Sequence, residues 1–167
     1  MRALIMAIAT LSLAAPAFAQ PAIKPQPDNR THVSSADIAA IMNKIAGDVA
    51  AGKPGGGARL LQFSSYASNL EYRTTVGTSG LHETEDELFF VVDGSGVLVT
   101  GGKLTDPKRQ DAKNILGSGV EGGTSQKVGK GDTFVVLKGT PHWFSAIDGR
   151  LVMISMRLPE SAPPPHP

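Results

Sequence analysis

The chain has 167 residues, of which 41% are hydrophobic, with a formal net charge of +1 and no cysteine. That length suits one domain with a sizeable core, and the near-neutral balance leaves no global electrostatic case for nucleic acid or an anionic membrane surface as partner. The absence of cysteine excludes thiol nucleophiles and disulfide bracing, so stability must come from an apolar core or a bound ligand.

The N-terminus carries Arg2, the apolar run Ala3 to Ala15, and Ala17-Phe18-Ala19 ahead of Gln20. This is the pattern of a secretory signal with an Ala-x-Ala cleavage site. The apolar run is too short to span a bilayer comfortably and lacks a basic stop-transfer flank. The expectation is an exported chain, periplasmic or secreted, that loses residues 1–19 and keeps no membrane span. Removing Arg2 with that segment brings the formal charge to about zero. Residues 20–33 hold Pro21, Pro25 and Pro27 with no apolar period and read as a Pro-rich linker. Asn29-Arg30-Thr31 matches a glycosylation sequon, a pattern too short to weigh.

A folded domain is predicted over residues 34–158. Ser34 with Asp37 forms a capping-box pattern, and Ile38, Ile41, Met42, Ile45, Ala46 and Val49 recur at helical spacing. Gly52 and Pro54 end the helix, whose apolar stripe is expected to pack on the outside of the main body. Beyond Gly55-Gly56-Gly57 the chain turns to short segments rich in Val, Phe, Thr and Ile. Strands are predicted at 60–63, 70–76, 87–92, 96–100, 125–128, 133–137, 142–146 and 150–158, which points to an all-β sandwich or barrel. Asp93-Gly94-Ser95-Gly96 reads as a hairpin turn. Residues 101–131 form a polar, Gly-containing excursion, read as a lid or a surface loop. Residues 159–167 are Pro-rich and expected to be a disordered tail, with His166 in it.

Several chemistries drop out by motif. There is no His-Glu-x-x-His zinc helix and no phosphate-binding loop ending in Lys-Ser or Lys-Thr. Gly117, Gly119 and Gly122 satisfy a dinucleotide-type spacing, but no helix signal follows them and no acid lies at the required distance. Two stretches remain. One runs from Gly80 and His82 through Glu87 to Gly94; the other runs from Gly131 through Gly139 to His142. Alternation along a strand puts Glu87, Phe89 and Val91 on one face, and His142, Phe144 and Ala146 on one face of a later strand. If both faces point inward, two imidazoles and a carboxylate converge in a mostly apolar cavity. Such a set leaves coordination positions open and suits iron, manganese or zinc.

Taken together, the two stretches resemble the paired motifs of the cupin superfamily. His82, Glu87 and Gly94 fit the second His, the Glu and the Gly of the first motif, and Gly131, Gly139 and His142 fit the second motif. The resemblance covers roughly residues 60–158. It implies an antiparallel jelly-roll barrel with one N-terminal amphipathic helix, one metal-binding pocket holding a divalent ion, and commonly a homodimer. Three positions depart from the family pattern: Gly80 stands where the first ligand His is expected, Leu137 where a Pro is usual, and Ala146 where Asn is common. The ligand set is therefore His82, Glu87 and His142, with the acidic run Glu83, Glu85 and Asp86 as a source of a substitute ligand.

Tyr72, Arg73 and Phe89 are candidate substrate contacts, Arg73 as a bidentate anchor for a carboxylate or sugar acid. Trp143, on the opposite strand face from His142, reads as core or interface packing. The functional expectation is a metal-dependent enzyme of isomerase, lyase or dioxygenase type acting on a small polar molecule. The alternatives are a non-catalytic periplasmic protein that binds a small molecule or a metal ion, and a purely structural exported domain.

Overall fold

The computed structural model describes residues 30–63 and 66–159. Residues 1–19, read as a signal, residues 20–29 of the expected linker and residues 160–167 of the expected tail, with His166, lie outside the described residues. The fold starts with helix α1, Ser35–Ala50. The Ser34 hydroxyl accepts from the Asp37 backbone N–H at 3.1 Å, and the Asp37 carboxylate accepts in return from the Ser34 N–H at 3.3 Å. A reciprocal cap of this kind satisfies two otherwise orphaned donors and contributes about 1 kcal/mol.

Eleven strands follow among the described residues. They are β1 (Gly56–Phe63), β2 (Tyr66–Arg73), β3 (Ser79–His82), β4 (Glu85–Thr100), β5 (Lys103–Thr105), β6 (Lys108–Arg109), β7 (Asn114–Gly117), β8 (Gly119–Glu121), β9 (Thr124–Gly129), β10 (Thr133–Val136) and β11 (His142–Pro159). All pairings are antiparallel. The path β1-β2-β11-β3-β7-β6 is joined through β11 to β4, which also pairs with β9 and β10, while β5 and β8 form a separate ribbon. The long strands β4 and β11 run together from Glu85 opposite Pro159 to Thr100 opposite His142. The architecture is the antiparallel jelly-roll expected, with helix α1 on the outside.

Strand alternation sorts the core into two clusters, one on each face of the β2-β11-β4 layer. Phe89, Val91, Leu98, Val128, Val136, Phe144, Leu151 and Met153 fill the barrel interior. On the outer face Leu60, Leu70, Tyr72 and Val152 pack beneath Ile38, Ile41, Met42 and Ile45 of the helix. The helical stripe thus finds its own domain.

Three local expectations change. Asp93 to Gly96 is not a chain reversal: β4 continues through it, with Asp93 opposite Val152, Gly94 opposite Leu151 and Gly96 opposite Ile147. The two strands bend together at a bulge between Ile147 and Leu151, so the two segments predicted at 142–146 and 150–158 are one strand. Glycine is needed because Gly94 has φ +78° and a Cβ there would lie 2.0 Å from the Arg150 carbonyl oxygen. Beyond the strand expected at 125–128, the 101–131 excursion contributes β5 to β8 instead of a lid or an open surface loop. Finally, Ser79–His82 forms a short strand that the sequence pattern did not indicate.

Candidate metal centre

The ends of three strands bring the site together. His82 closes β3, Glu87 lies near the start of β4, and His142 opens β11 directly opposite Gly80. The loop leading to His142 is fastened to the other histidine, since the Gly139 N–H donates to the His82 carbonyl at 2.7 Å. The Lys138 N–H donates to the Asp86 carboxylate at 2.8 Å. The Lys138-Gly139 turn of the second motif is therefore tied twice to the first.

All three residues are buried, with 6–8% of their surface exposed. Glu87 Oε2 lies 3.0 Å from His82 Nε2 and 3.6 Å from His142 Nε2. One donor atom from each residue falls within 4.8 Å of the other two. Away from the cluster, His82 Nδ1 lies 2.6 Å from Asn114 Oδ1, and His142 Nδ1 donates to the Thr140 carbonyl at 3.3 Å. Each ring thus has a partner on its far nitrogen and turns Nε2 toward the carboxylate, the arrangement typical of metal-binding imidazoles. A nitrogen, nitrogen, carboxylate-oxygen set at this spacing fits a divalent transition ion.

The electrostatics match that use. Burial alone would raise the Glu87 carboxyl, but the hydrogen bond from His82 and the positive field of His82, Arg157 and His142 outweigh it and hold it below its usual range. Burial lowers His142, and the attraction of Glu87 does not offset burial together with the charges of His82 and Arg73. A carboxylate that stays ionised beside an imidazole that stays neutral is the state a metal ligand set requires.

Gly80 faces this site: a Cβ built there would meet His142 Cε1 and Nε2 at 3.6 Å. The position at which the family's first histidine is missing therefore opens beside the ligand set. The acidic run does not replace that histidine. Glu83 pairs with Arg109 at 2.8 Å, Asp86 accepts from the Lys138 backbone, and Glu85 faces Arg157 at 3.6 Å and Lys113 at 4.0 Å.

The candidate substrate contacts separate. Phe89 lies in the interior, stacked on Phe134 with centroids 5.1 Å apart and edge-on to Phe144 at 5.8 Å. Arg73 also faces inward, its guanidinium 4.9 Å from the Phe144 centroid and bonded to Glu71 at 2.6 and 3.1 Å. Tyr72 does not join them, because as Arg73's neighbour in an extended strand it points to the opposite face and packs under the helix. Trp143 packs outside the site, donating its indole N–H to the Gly77 carbonyl at 2.8 Å.

Sequence reasoning missed several polar groups around the cluster. Arg157 sits directly opposite Glu87, its Nε 3.8 Å from Glu87 Oε1. Ser155 donates to Glu71 Oε1 at 2.6 Å. Period-two alternation from Met153 would have found Ser155 and Arg157. Nothing local would have found Asn114, which comes from the excursion.

The family model for cupins matches residues 53–159, more than half of the chain. Among solved structures, BH2720 from Bacillus halodurans has a TM-score of 0.51 at 16% identity, over 80% of this chain and 85% of that one. Hydroquinone 1,2-dioxygenase PnpCD, in complex with Cd2+ and 4-hydroxybenzonitrile, has a TM-score of 0.50 at 17% identity, over 65% and 66%. Iron(II) HppE has a TM-score of 0.46 at 16% identity, over 61% of this chain, which spans only 50% of that protein. These likenesses concern the fold. No curated protein matches the sequence.

Proposed function

We propose that this chain, which belongs to the cupin family, holds a divalent metal ion with His82, Glu87 and His142 and works as a metal-dependent enzyme on a small polar molecule. The observation that carries this reading is the convergence of both Nε2 atoms on Glu87 Oε2, with each Nδ1 engaged elsewhere. When bound, iron, manganese or zinc supplies Lewis-acid polarisation, and iron or manganese also supplies oxygen activation. Isomerase, lyase and dioxygenase chemistry are all compatible with a three-ligand centre, and a hydroquinone dioxygenase is among the proteins of similar fold.

The chain's own groups have distinct tasks in this reading. Glu87 and the two imidazoles hold the ion. Phe89, Phe134 and Phe144 form a dry wall that raises the strength of every charge interaction at the site. Arg73, held by Glu71 with its guanidinium over Phe144, presents a cation to an acidic or hydroxylated substrate. The glycine at position 80 favours a second reading, in which the pocket holds a sugar, a small acid or a metal ion without turning it over. Export completes the proposal, on the strength of Arg2, the apolar run after it and Ala17-Phe18-Ala19.

Metal analysis of the purified protein tests the core of this reading. Near-stoichiometric iron, manganese or zinc that disappears in both His82→Ala and His142→Ala supports it and justifies a screen for turnover. No bound metal even after reconstitution would refute it.

A further inference from the structure

We infer that Asn114 is the positioning residue of this centre, fixing His82 with Nε2 turned toward the ligand cluster and Arg157 beside Glu87. The inference rests on the metal reading above and adds to it a group that touches no ligand position. Asn114 opens β7 and is the cross-strand neighbour of His82. Its Oδ1 lies 2.6 Å from His82 Nδ1 and 2.9 Å from Arg157 Nη1.

The orientation of the amide follows from its surroundings. Asn114 Nδ2 donates to Asp111 Oδ1 at 2.8 Å and Oδ2 at 2.7 Å. Asp111 is itself held, because its Oδ1 accepts the backbone N–H groups of Lys113 and Asn114 at 2.8 and 2.9 Å. A flipped amide would set oxygen against that carboxylate and an NH2 group against the Arg157 guanidinium, losing both sets of bonds. Oδ1 therefore faces His82 and Arg157. An amide oxygen can only accept, so His82 donates from Nδ1 and is left with Nε2 as its ligand nitrogen.

Arg157 is placed by the same atom. Between Asn114 Oδ1 and Glu85 Oε2, which lies 3.6 Å away, its Nε comes within 3.8 Å of Glu87 Oε1. The guanidinium thus attends one oxygen of Glu87 while the imidazoles face the other. The excursion that delivers Asn114 is clipped to the His82 segment twice. The Glu83 N–H donates to the Lys113 carbonyl at 2.9 Å, and Arg109 bonds the Glu83 carboxylate through both terminal nitrogens, at 2.8 and 3.0 Å. The segment read from sequence as a lid or a surface loop instead braces the site.

The test is a chelator-competition titration with Co2+ on wild type, Asn114→Leu and Asn114→Asp, with the thermal midpoint of each metal-free protein measured alongside. Removing the acceptor in Asn114→Leu should weaken Co2+ binding roughly 10- to 100-fold and alter the Co2+ visible spectrum. Asn114→Asp, made together with Asp111→Asn because two carboxylates would otherwise face each other there, keeps an acceptor for both His82 and Arg157 and should stay within about threefold of wild type. A merely space-filling role would leave the Leu and Asp variants, which share the shape of Asn, alike. If Asn114→Leu does not fold, Asp111→Ala replaces it: freeing the amide to flip should also weaken Co2+ binding. Wild-type affinity in Asn114→Leu, or in Asp111→Ala when it stands in, overturns the inference, as does equal loss in the Leu and Asp variants. A wild type that binds no Co2+ overturns the metal reading itself, an outcome distinct from loss confined to the variants.

Discussion

Restoring the family's missing ligand, Gly80→His, is the most direct probe of which way this site faces. Position 80 pairs with His142 on one side and Leu116 on the other, and its backbone is not in the left-handed region. A Cβ would sit in ordinary contact with His142, 3.6 Å from Cε1 and Nε2, so a side chain enters the site without moving the strands. Four-ligand zinc sites in small peptides bind with about 10–16 kcal/mol, or about 2.5–4 kcal/mol per ligand. Ordering the new imidazole and desolvating it cost about 1 kcal/mol. The net gain is then about 1.5–3 kcal/mol, a roughly 10- to 150-fold tighter complex. Chelator-competition titration with Co2+ or Zn2+ measures it, with Gly80→Ala as the steric control. A folded Gly80→His that binds no more tightly than Gly80→Ala would refute the placement of the ligand set.

Two further predictions concern the scaffold. Gly94→Ala should cost at least about 3 kcal/mol in urea unfolding, because it combines an unfavourable positive φ with a Cβ driven into the Arg150 carbonyl; a loss below about 1 kcal/mol would show that the β4-β11 bend tolerates a side chain. The second concerns pH in the metal-free protein. His142 is lowered from 6.5, so the unfolded chain takes up that proton first, and stability falls as pH drops below the ordinary histidine range. Glu87 is lowered from 4.5, so its contribution is complete above that value and is lost as pH falls through the folded-state pKa. Urea midpoints should decline from pH 7 to 5 in wild type, and His142→Gln should flatten that decline. An unchanged slope in the variant would place the titration elsewhere.

The outline of the fold was legible wherever one physical signal dominated. The capping box at Ser34 and the helical stripe after it gave α1, and short runs rich in Val, Phe, Thr and Ile gave β1, β9, β10 and part of β2, with β4 and β11 each in two pieces. The failures lie where one residue type serves two geometries. Glycines at 94 and 96 were read as a reversal because they supply positive φ and remove Cβ, and a bend between two long paired strands needs the same properties. In the excursion, β5 to β8 are only two to four residues long, too short for a periodic pattern. Tyr72 and Arg73 were grouped as substrate contacts although adjacent residues of a strand face opposite ways, a parity argument available from the sequence itself.

That parity also accounts for where the candidate site lies along the barrel. The inward residues of β4 and β11 meet in antiparallel register as Val91 with Met153, Phe89 with Ser155 and Glu87 with Arg157. Both strands therefore pass from apolar to charged in the same direction. Near Val91 and Met153 the interior is dry and fully buried, and a charge there would have no compensating partner. Two pairs along, every ionised group has one: Glu87 has His82 and Arg157, and Glu71 has Arg73 and Ser155. Polar chemistry is confined to the end of the barrel where the strands supply counter-charges. Asn114 reaches that end from outside the two motifs and bonds to two side chains that face Glu87 there, His82 and Arg157, without placing a charge of its own among them.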